Sequence, residues 1–114
     1  MNHMVQYSER LDSSFAALAD PTRRAILLRL GQSTASISEL AAGFDMTLTG
    51  LKKHVQVLED AGLVATRKVG RVRHCELGPR RLEDVDDFVA TYRRMVEERF
   101  DHLEKLLEKT KGTP

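Results

Sequence analysis

Tryptophan is absent from this chain of 114 residues, aromatic side chains make up only 5% of it, and cysteine occurs once, at position 75. A single cysteine excludes an internal disulfide, and with it the small oxidised scaffold that cysteine pairs hold together. With so few rings, the core must be built from Leu, Val, Ile and Ala. A core that lean predicts that a partner subunit completes the burial of apolar surface. No run of 18 apolar residues occurs, so a membrane-spanning helix is not expected. The opening MNHMVQYSERLD has no apolar signal segment, and a cytoplasmic location is the expectation. Also missing are a nucleophile–base pair, a Gly-rich phosphate loop and a pair of acids suited to general acid–base work. The reading is therefore of a protein that is not an enzyme and carries no cofactor.

What is present is an uneven distribution of charge. The net charge is +1, but residues 46–81 carry 8 basic and 3 acidic side chains, while residues 82–114 carry 6 basic and 9 acidic. A basic middle third between neutral and acidic ends is what a nucleic-acid face requires, although solvated faces are often charged as well.

The chain reads as one domain over residues 1–114, mainly α with a small β-hairpin. Leu11, Phe15 and Leu18 are spaced i, i+4, i+7 and predict a helix over about 8–19 with these residues inward. Asp20-Pro21 then offers an N-cap followed by a proline suited to the first helical position, opening a helix over about 21–30. Ile26, Leu27 and Leu30 face inward, and Gly31 ends it. Residues 32–36 read as a loop. Ser36 and Glu39 fit a capping box for a short helix over about 37–43. Thr47 caps a fourth helix, about 48–61, whose Leu51, Val55 and Leu58 repeat at i, i+4, i+7. Gly62 suits the left-handed position after it. Leu63 to Lys68 and Val72 to Leu77 are strand-like and flank Val69-Gly70-Arg71. A pattern free of glycine and proline then runs from about Leu82 to Lys109.

Two short helices joined by a tight turn over about 37–61, followed by a basic hairpin over 63–77, form the outline of a winged helix-turn-helix. The second helix turns Leu51, Val55 and Leu58 inward and presents Thr49, Lys52, Lys53 and Gln56 on its other side. Its N-terminus, with Thr47, is a positive dipole end suited to phosphate. The hairpin adds Arg67, Lys68, Arg71 and Arg73, which can reach backbone phosphates or a minor groove. The candidate DNA-binding set is Thr47, Thr49, Lys52, Lys53, Gln56, Lys68, Arg71 and Arg73.

The stretches LADPTRRAILLRL, SISELAAGFDMTLTGLKKHVQVLEDAGLV and TRKVGRVRHCEL resemble, in that order, the ArsR/SmtB family of bacterial repressors. The likeness covers roughly residues 15–110. It implies a winged-helix homodimer that binds double-stranded operator DNA and releases it on a signal. The recognition helix departs from the family's frequent Ser-x-Ser start by reading Thr47-Leu48-Thr49. Leu48 stands where many relatives carry glutamine and can touch at most a thymine methyl. Gly50 either permits close approach of the backbone to DNA or is a tolerated exposed glycine. His54 is either a half-buried, hydrogen-bonded packing residue, which is favoured, or a DNA contact. Arg23 and Arg24 are open to a phosphate contact or to a salt bridge with Asp20 or Glu39.

Many members of that family sense metals, and the resemblance can be tested position by position. The thiolate positions of the third-helix sensor motif hold Ala41 and Gly43. The last helix offers Asp84, Asp86, Asp87 and a solitary His102 without the family's Asp-x-His spacing. No metal site is expected, and Glu83, Asp84, Asp86 and Asp87 read as a solvated face near a helix N-terminus. Cys75, beside His74, is expected to be a half-buried structural thiol, with a redox role as the alternative.

The final helix, about 82–109, carries an apolar stripe that includes Val85, Val89, Met95 and Leu106. Within it, Phe88, Tyr92, Val96, Phe100, Leu103 and Leu107 are the candidate dimerisation residues. A stripe of about seven turns exceeds what a monomer of this size can bury. The expectation is a homodimeric, sequence-specific repressor on an inverted repeat, not metal-responsive. The rival is a winged-helix module for protein–protein contact, which would not need four cations on the wing beside a Lys-Lys helix.

Overall fold

The computed structural model describes residues 3–111, with side-chain surroundings for residues 9–110. The described elements are α1 (His3–Leu18), α2 (Pro21–Leu30), β1 (Ala35–Ser36), α3 (Ile37–Gly43), α4 (Leu48–Asp60), β2 (Val64–Val69), β3 (Val72–Leu77) and α5 (Glu83–Lys111). No helix among them is long and apolar enough to cross a membrane.

Local chemistry sets most helix starts. Asp20 Oδ1 accepts from the Thr22 and Arg23 amides at 2.8 and 3.1 Å, with Pro21 at the first helical position. The Arg23 amide in particular holds the Asp20 carboxyl below its ordinary range, against some burial. Ser36 Oγ accepts from the Glu39 amide at 3.0 Å and starts α3. Thr47 Oγ1 accepts from the Gly50 amide at 3.1 Å and starts α4. These side-chain acceptors satisfy amides that have no partner inside the helix.

Several boundaries differ from the sequence expectation. The first helix begins at His3 rather than near residue 8. Residues 32–36 are not all loop: Ala35 and Ser36 pair with Cys75 and His74 and complete a three-stranded antiparallel sheet in the order β1-β3-β2. The fourth helix stops at Asp60, one residue early, and the first wing strand starts at Val64 and runs on through Val69, which pairs with Val72. That leaves a two-residue turn, with Gly70 at φ +64 in its first position, where a tight hairpin of this handedness favours glycine. Leu82 is not helical; it sits at φ +61, and α5 starts at Glu83.

The core gathers Ile26 and Leu30 of α2, Ile37, Leu40 and Ala41 of α3, and Leu51, Val55 and Leu58 of α4. Leu63, Val64 and Cys75 of the wing base close it. From α1 it receives Ala17, while Leu18 is partly buried against it. Phe15, expected inward, instead faces α5, where its ring meets Phe88 edge-on at 5.8 Å between centroids. Among the α1 residues whose surroundings are described, the buried ones are the small Ser14 and Ala17, which lets the α5 start pack close.

That close packing is organised by Asp84. By sequence it belongs to a solvated face; the structure buries it. Ser14, fully buried on α1, donates to its carboxylate at 3.1 Å, and Arg80 donates at 2.6 Å. Burial pushes the carboxyl up, but the bonds from Arg80, the Val85 amide and Ser14 outweigh it and hold it below the ordinary value. An aspartate depressed in the folded state contributes stability that is present above its unfolded value of about 3.9 and lost as pH falls through the folded one. Asp84→Ala is therefore expected to cost about 2–3 kcal/mol at neutral pH, since Arg80 and Ser14 lose their partner. In urea denaturation at fixed protein concentration, the gap between wild type and variant should narrow from pH 7 to pH 3. A gap that is equal at both values would refute the assignment.

Beyond this junction α5 projects. Its 29 residues span about 43 Å. The radius of gyration is 20.9 Å, against about 13 Å for a compact chain of this length.

Candidate nucleic-acid interface

The recognition helix and the wing approach one another for a local reason. Gly62, at φ +76, turns the chain sharply after α4, and the Arg80 side chain lies across it, where a Cβ would come within 2.7 Å of Cδ. The chain then rises as β2 beside the last turn of α4. Glu59 Oε2 accepts from the Thr66 hydroxyl at 2.6 Å and from the Thr66 amide at 3.2 Å. Arg73 Nη1 in turn donates to Thr66 Oγ1 at 2.9 Å. This three-residue chain ties α4 to both strands of the wing and has no signal in the sequence. Its members are 59, 66 and 73, seven apart but on different elements, so no helical or strand period announces them.

The result is a groove of about 400 Å³ lined by Ser36, Ile37 and Ser38 at the start of α3, Leu48 and Lys52 of α4, and Lys68, Arg71, Val72 and Arg73 of the wing. Four of the eight candidate DNA-binding residues, Lys52, Lys68, Arg71 and Arg73, meet here. Lys68 and Arg73 are directly paired across the hairpin. Arg67, one residue earlier, takes the opposite face of the sheet, because successive strand side chains alternate; it lines a separate hollow with His74.

The other four candidates lie outside the groove. Thr47 is engaged as the helix cap and remains exposed. Thr49, Lys53 and Gln56 form a second exposed stripe at i, i+4, i+7, about 100° further round α4 from Leu48 and Lys52. The Gln56 amide donates to Asp60 Oδ1 at 2.8 Å and must leave that bond to reach a base. Gly50 has a local role: a Cβ there would sit 3.1 Å from Thr47 Oγ1 and crowd the cap.

His54 lies between α4 and α2, with Nδ1 3.3 Å from Arg23 Nη1 and 4.0 Å from Asp20 Oδ1. This is the hydrogen-bonded, half-buried packing role. Arg23 forms neither of the two salt bridges considered, to Asp20 or to Glu39. Its guanidinium donates to the carbonyls of Ala17 and Ala16 at 2.8 and 2.7 Å, closing the end of α1. Arg24 does likewise to Leu18 O at 2.7 Å.

Cys75 is fully buried rather than half-buried. Burial, with Glu59 nearby, pushes its thiol pKa up against the pull of Arg73. At neutral pH it is a protonated core residue, a poor nucleophile and a poor metal ligand.

On α5, Phe88, Tyr92, Phe100, Leu103 and Leu107 are exposed in the single chain, Phe100 to 64%, and Val96 is half-buried. Apart from the Phe15–Phe88 contact, this apolar stripe faces outward.

Comparison with known proteins agrees with this architecture. Residues 18–67 match a family described as a helix-turn-helix domain. The chain is 38% identical over 68 residues to the HTH-type transcriptional regulator Rv2034 of Mycobacterium tuberculosis, a match covering 60% of this chain and 64% of that protein. The chain thus spans just under two thirds of that relative. Among solved structures, the ArsR family transcriptional regulator RHA00566 superposes with a TM-score of 0.74 at 44% identity, over 79% of this chain and 93% of that one. The homodimeric winged helix-turn-helix DNA-binding domain of Mb0332 from Mycobacterium bovis, a possible ArsR-family regulator, superposes at 0.58 with 26% identity, over 87% of this chain and 86% of its own.

Proposed function

The chain belongs to the ArsR family of helix-turn-helix transcriptional regulators, and from that premise we propose that it is a homodimeric repressor that binds an inverted-repeat operator. One observation supports DNA contact above the others: Lys52 from the recognition helix and Lys68, Arg71 and Arg73 from the wing line a single groove. Cations from two elements, brought to one groove where the Glu59–Thr66–Arg73 chain ties the wing to the recognition helix, suit a polyanion. The contact set is Thr47, Thr49, Lys52, Lys53, Gln56, Lys68, Arg71 and Arg73. Dimerisation through α5 is supported by its exposed apolar stripe and by the homodimeric Mycobacterium bovis neighbour. A two-fold dimer of this kind sets two recognition helices about 34 Å apart, one turn of DNA. The assignment of repression rather than activation rests on the family resemblance, and a cytoplasmic location follows from the function.

The direct test is a gel shift and footprint on the DNA upstream of the protein's own gene. A retarded complex protecting a palindrome is expected; binding no tighter than to random DNA would overturn the reading. Within that assay, Arg71→Ala is expected to lower affinity for operator and random DNA alike and to reduce the log–log salt slope by about one unit, since a backbone contact positions without reading sequence. Arg73→Ala should do the same and lose more, because it also breaks the bond to Thr66. A loss confined to the operator would instead indicate base or narrow-groove reading.

The releasing signal is proposed to be something other than a metal. Ala41 and Gly43 supply no thiolate, Cys75 is buried and protonated, and His74, its neighbour on β3, turns to the opposite sheet face. Titration of the operator complex with zinc, nickel, cadmium and arsenite, with and without chelator, should leave binding unchanged. Stoichiometric, reversible release that disappears in His102→Ala or Cys75→Ser would overturn this.

A further inference from the structure

We propose that Leu48 reads thymine through its 5-methyl group and so helps to set operator sequence; this rests on the DNA-binding reading above. Leu48 is the first residue of α4, directly after the Thr47 cap. The apolar residues of α4 that serve the core, Leu51, Val55 and Leu58, are 0–3% exposed, whereas Leu48 is 48% exposed. It is not a core residue displaced by crowding. It lines the basic groove one turn before Lys52, with Val72 of the wing also on the wall.

An apolar side chain among four cations has little to gain in the free protein. When a duplex docks over the groove, the cations find phosphates, and Leu48 is desolvated with them. What it meets then matters. The edges of guanine, cytosine and adenine in the major groove are hydrogen-bonding groups, and burying one against leucine strips its water without replacing the bond, which is costly. Thymine alone carries a methyl on that edge, at C5, where cytosine has a bare C5–H beside its amino donor. Leu48 thus both favours thymine and penalises the alternatives, which is how specificity arises from a side chain that makes no hydrogen bond.

The experiment selects binding sequences from a random duplex pool with the full-length protein, then replaces each thymine of the selected site singly by uracil, which removes only the methyl. One thymine per half-site is expected to show about fourfold weaker binding as uracil, and about fifteenfold when both half-sites are changed, the effect of withdrawing one methyl from an apolar contact. Leu48→Ala should bind thymine and uracil duplexes equally, and Leu48→Met should retain the discrimination. Because Leu48 is outside the core, circular dichroism and the melting temperature should be unchanged in both variants. Uracil tolerated at every position would overturn the proposal. So would a Leu48→Ala protein that weakens yet still prefers thymine, as packing against deoxyribose would produce. A pool that yields no consensus at all would refute sequence-specific binding itself, and this assignment with it.

Discussion

Leu103→Asp is expected to turn the proposed dimer into a monomer and to abolish tight operator binding. Leu103 lies on the outer half of α5, beside Phe100 and Val96 in an apolar hollow. This is far from the Ser14–Asp84–Arg80 junction that fastens the start of the helix. It is not among the buried core residues, so its loss should spare the winged-helix core. An aspartate placed where two such stripes meet carries an unpaired charge into an apolar seam, a cost of several kcal/mol, and two-fold symmetry introduces it twice. Sedimentation should show a monomer with native helical content. Operator affinity should fall to that of random DNA, because one recognition helix spans only one half-site. A variant that remains dimeric would place the interface elsewhere.

The second large effect is expected from Lys52→Ala with Lys53→Ala. These are the only lysines or arginines in Leu48–Asp60, and the structure separates their positions. Lys52 lines the groove with the wing cations, whereas Lys53 shares the outer stripe with Thr49 and Gln56. Both are exposed, and among the described residues neither has a hydrogen bond or ion pair, so the variant should melt as the wild type does. If both meet phosphate, the salt slope should shrink by about one unit each. If Lys53 meets a guanine edge, the loss should concentrate at one base pair, by roughly 1–3 kcal/mol. Operator binding unchanged in the double variant would remove the recognition-helix assignment.

Much of this architecture is legible without coordinates, because it is written in short-range spacing. Asp20, Ser36 and Thr47 cap helices through amides two or three residues away. Leu51, Val55 and Leu58 share one side of α4 because a helix repeats every 3.6 residues. Gly62 and Gly70 mark positive φ. Together with the basic hairpin these residues determine the order of elements, the inner and outer faces of the recognition helix, and the class of partner.

Tertiary structure decided what depends on residues distant in the chain. Strand β1 has two residues, too few for a period, and exists because Ala35 meets Cys75. Asp84 reads as one acid in a solvated run; only the approach of Ser14, 70 positions away, makes it a buried partner. Arg23, open in the sequence to a phosphate contact or a local salt bridge, donates to the carbonyls that end α1. Glu59, Thr66 and Arg73 become one chain, and Lys52, Lys68, Arg71 and Arg73 one groove, only once the turn at Gly62 has laid the wing beside α4. Hydrogen bonds within a turn of helix are fixed by the backbone period and are therefore readable locally. Contacts between elements depend on how whole faces pack, which no single stretch of sequence encodes.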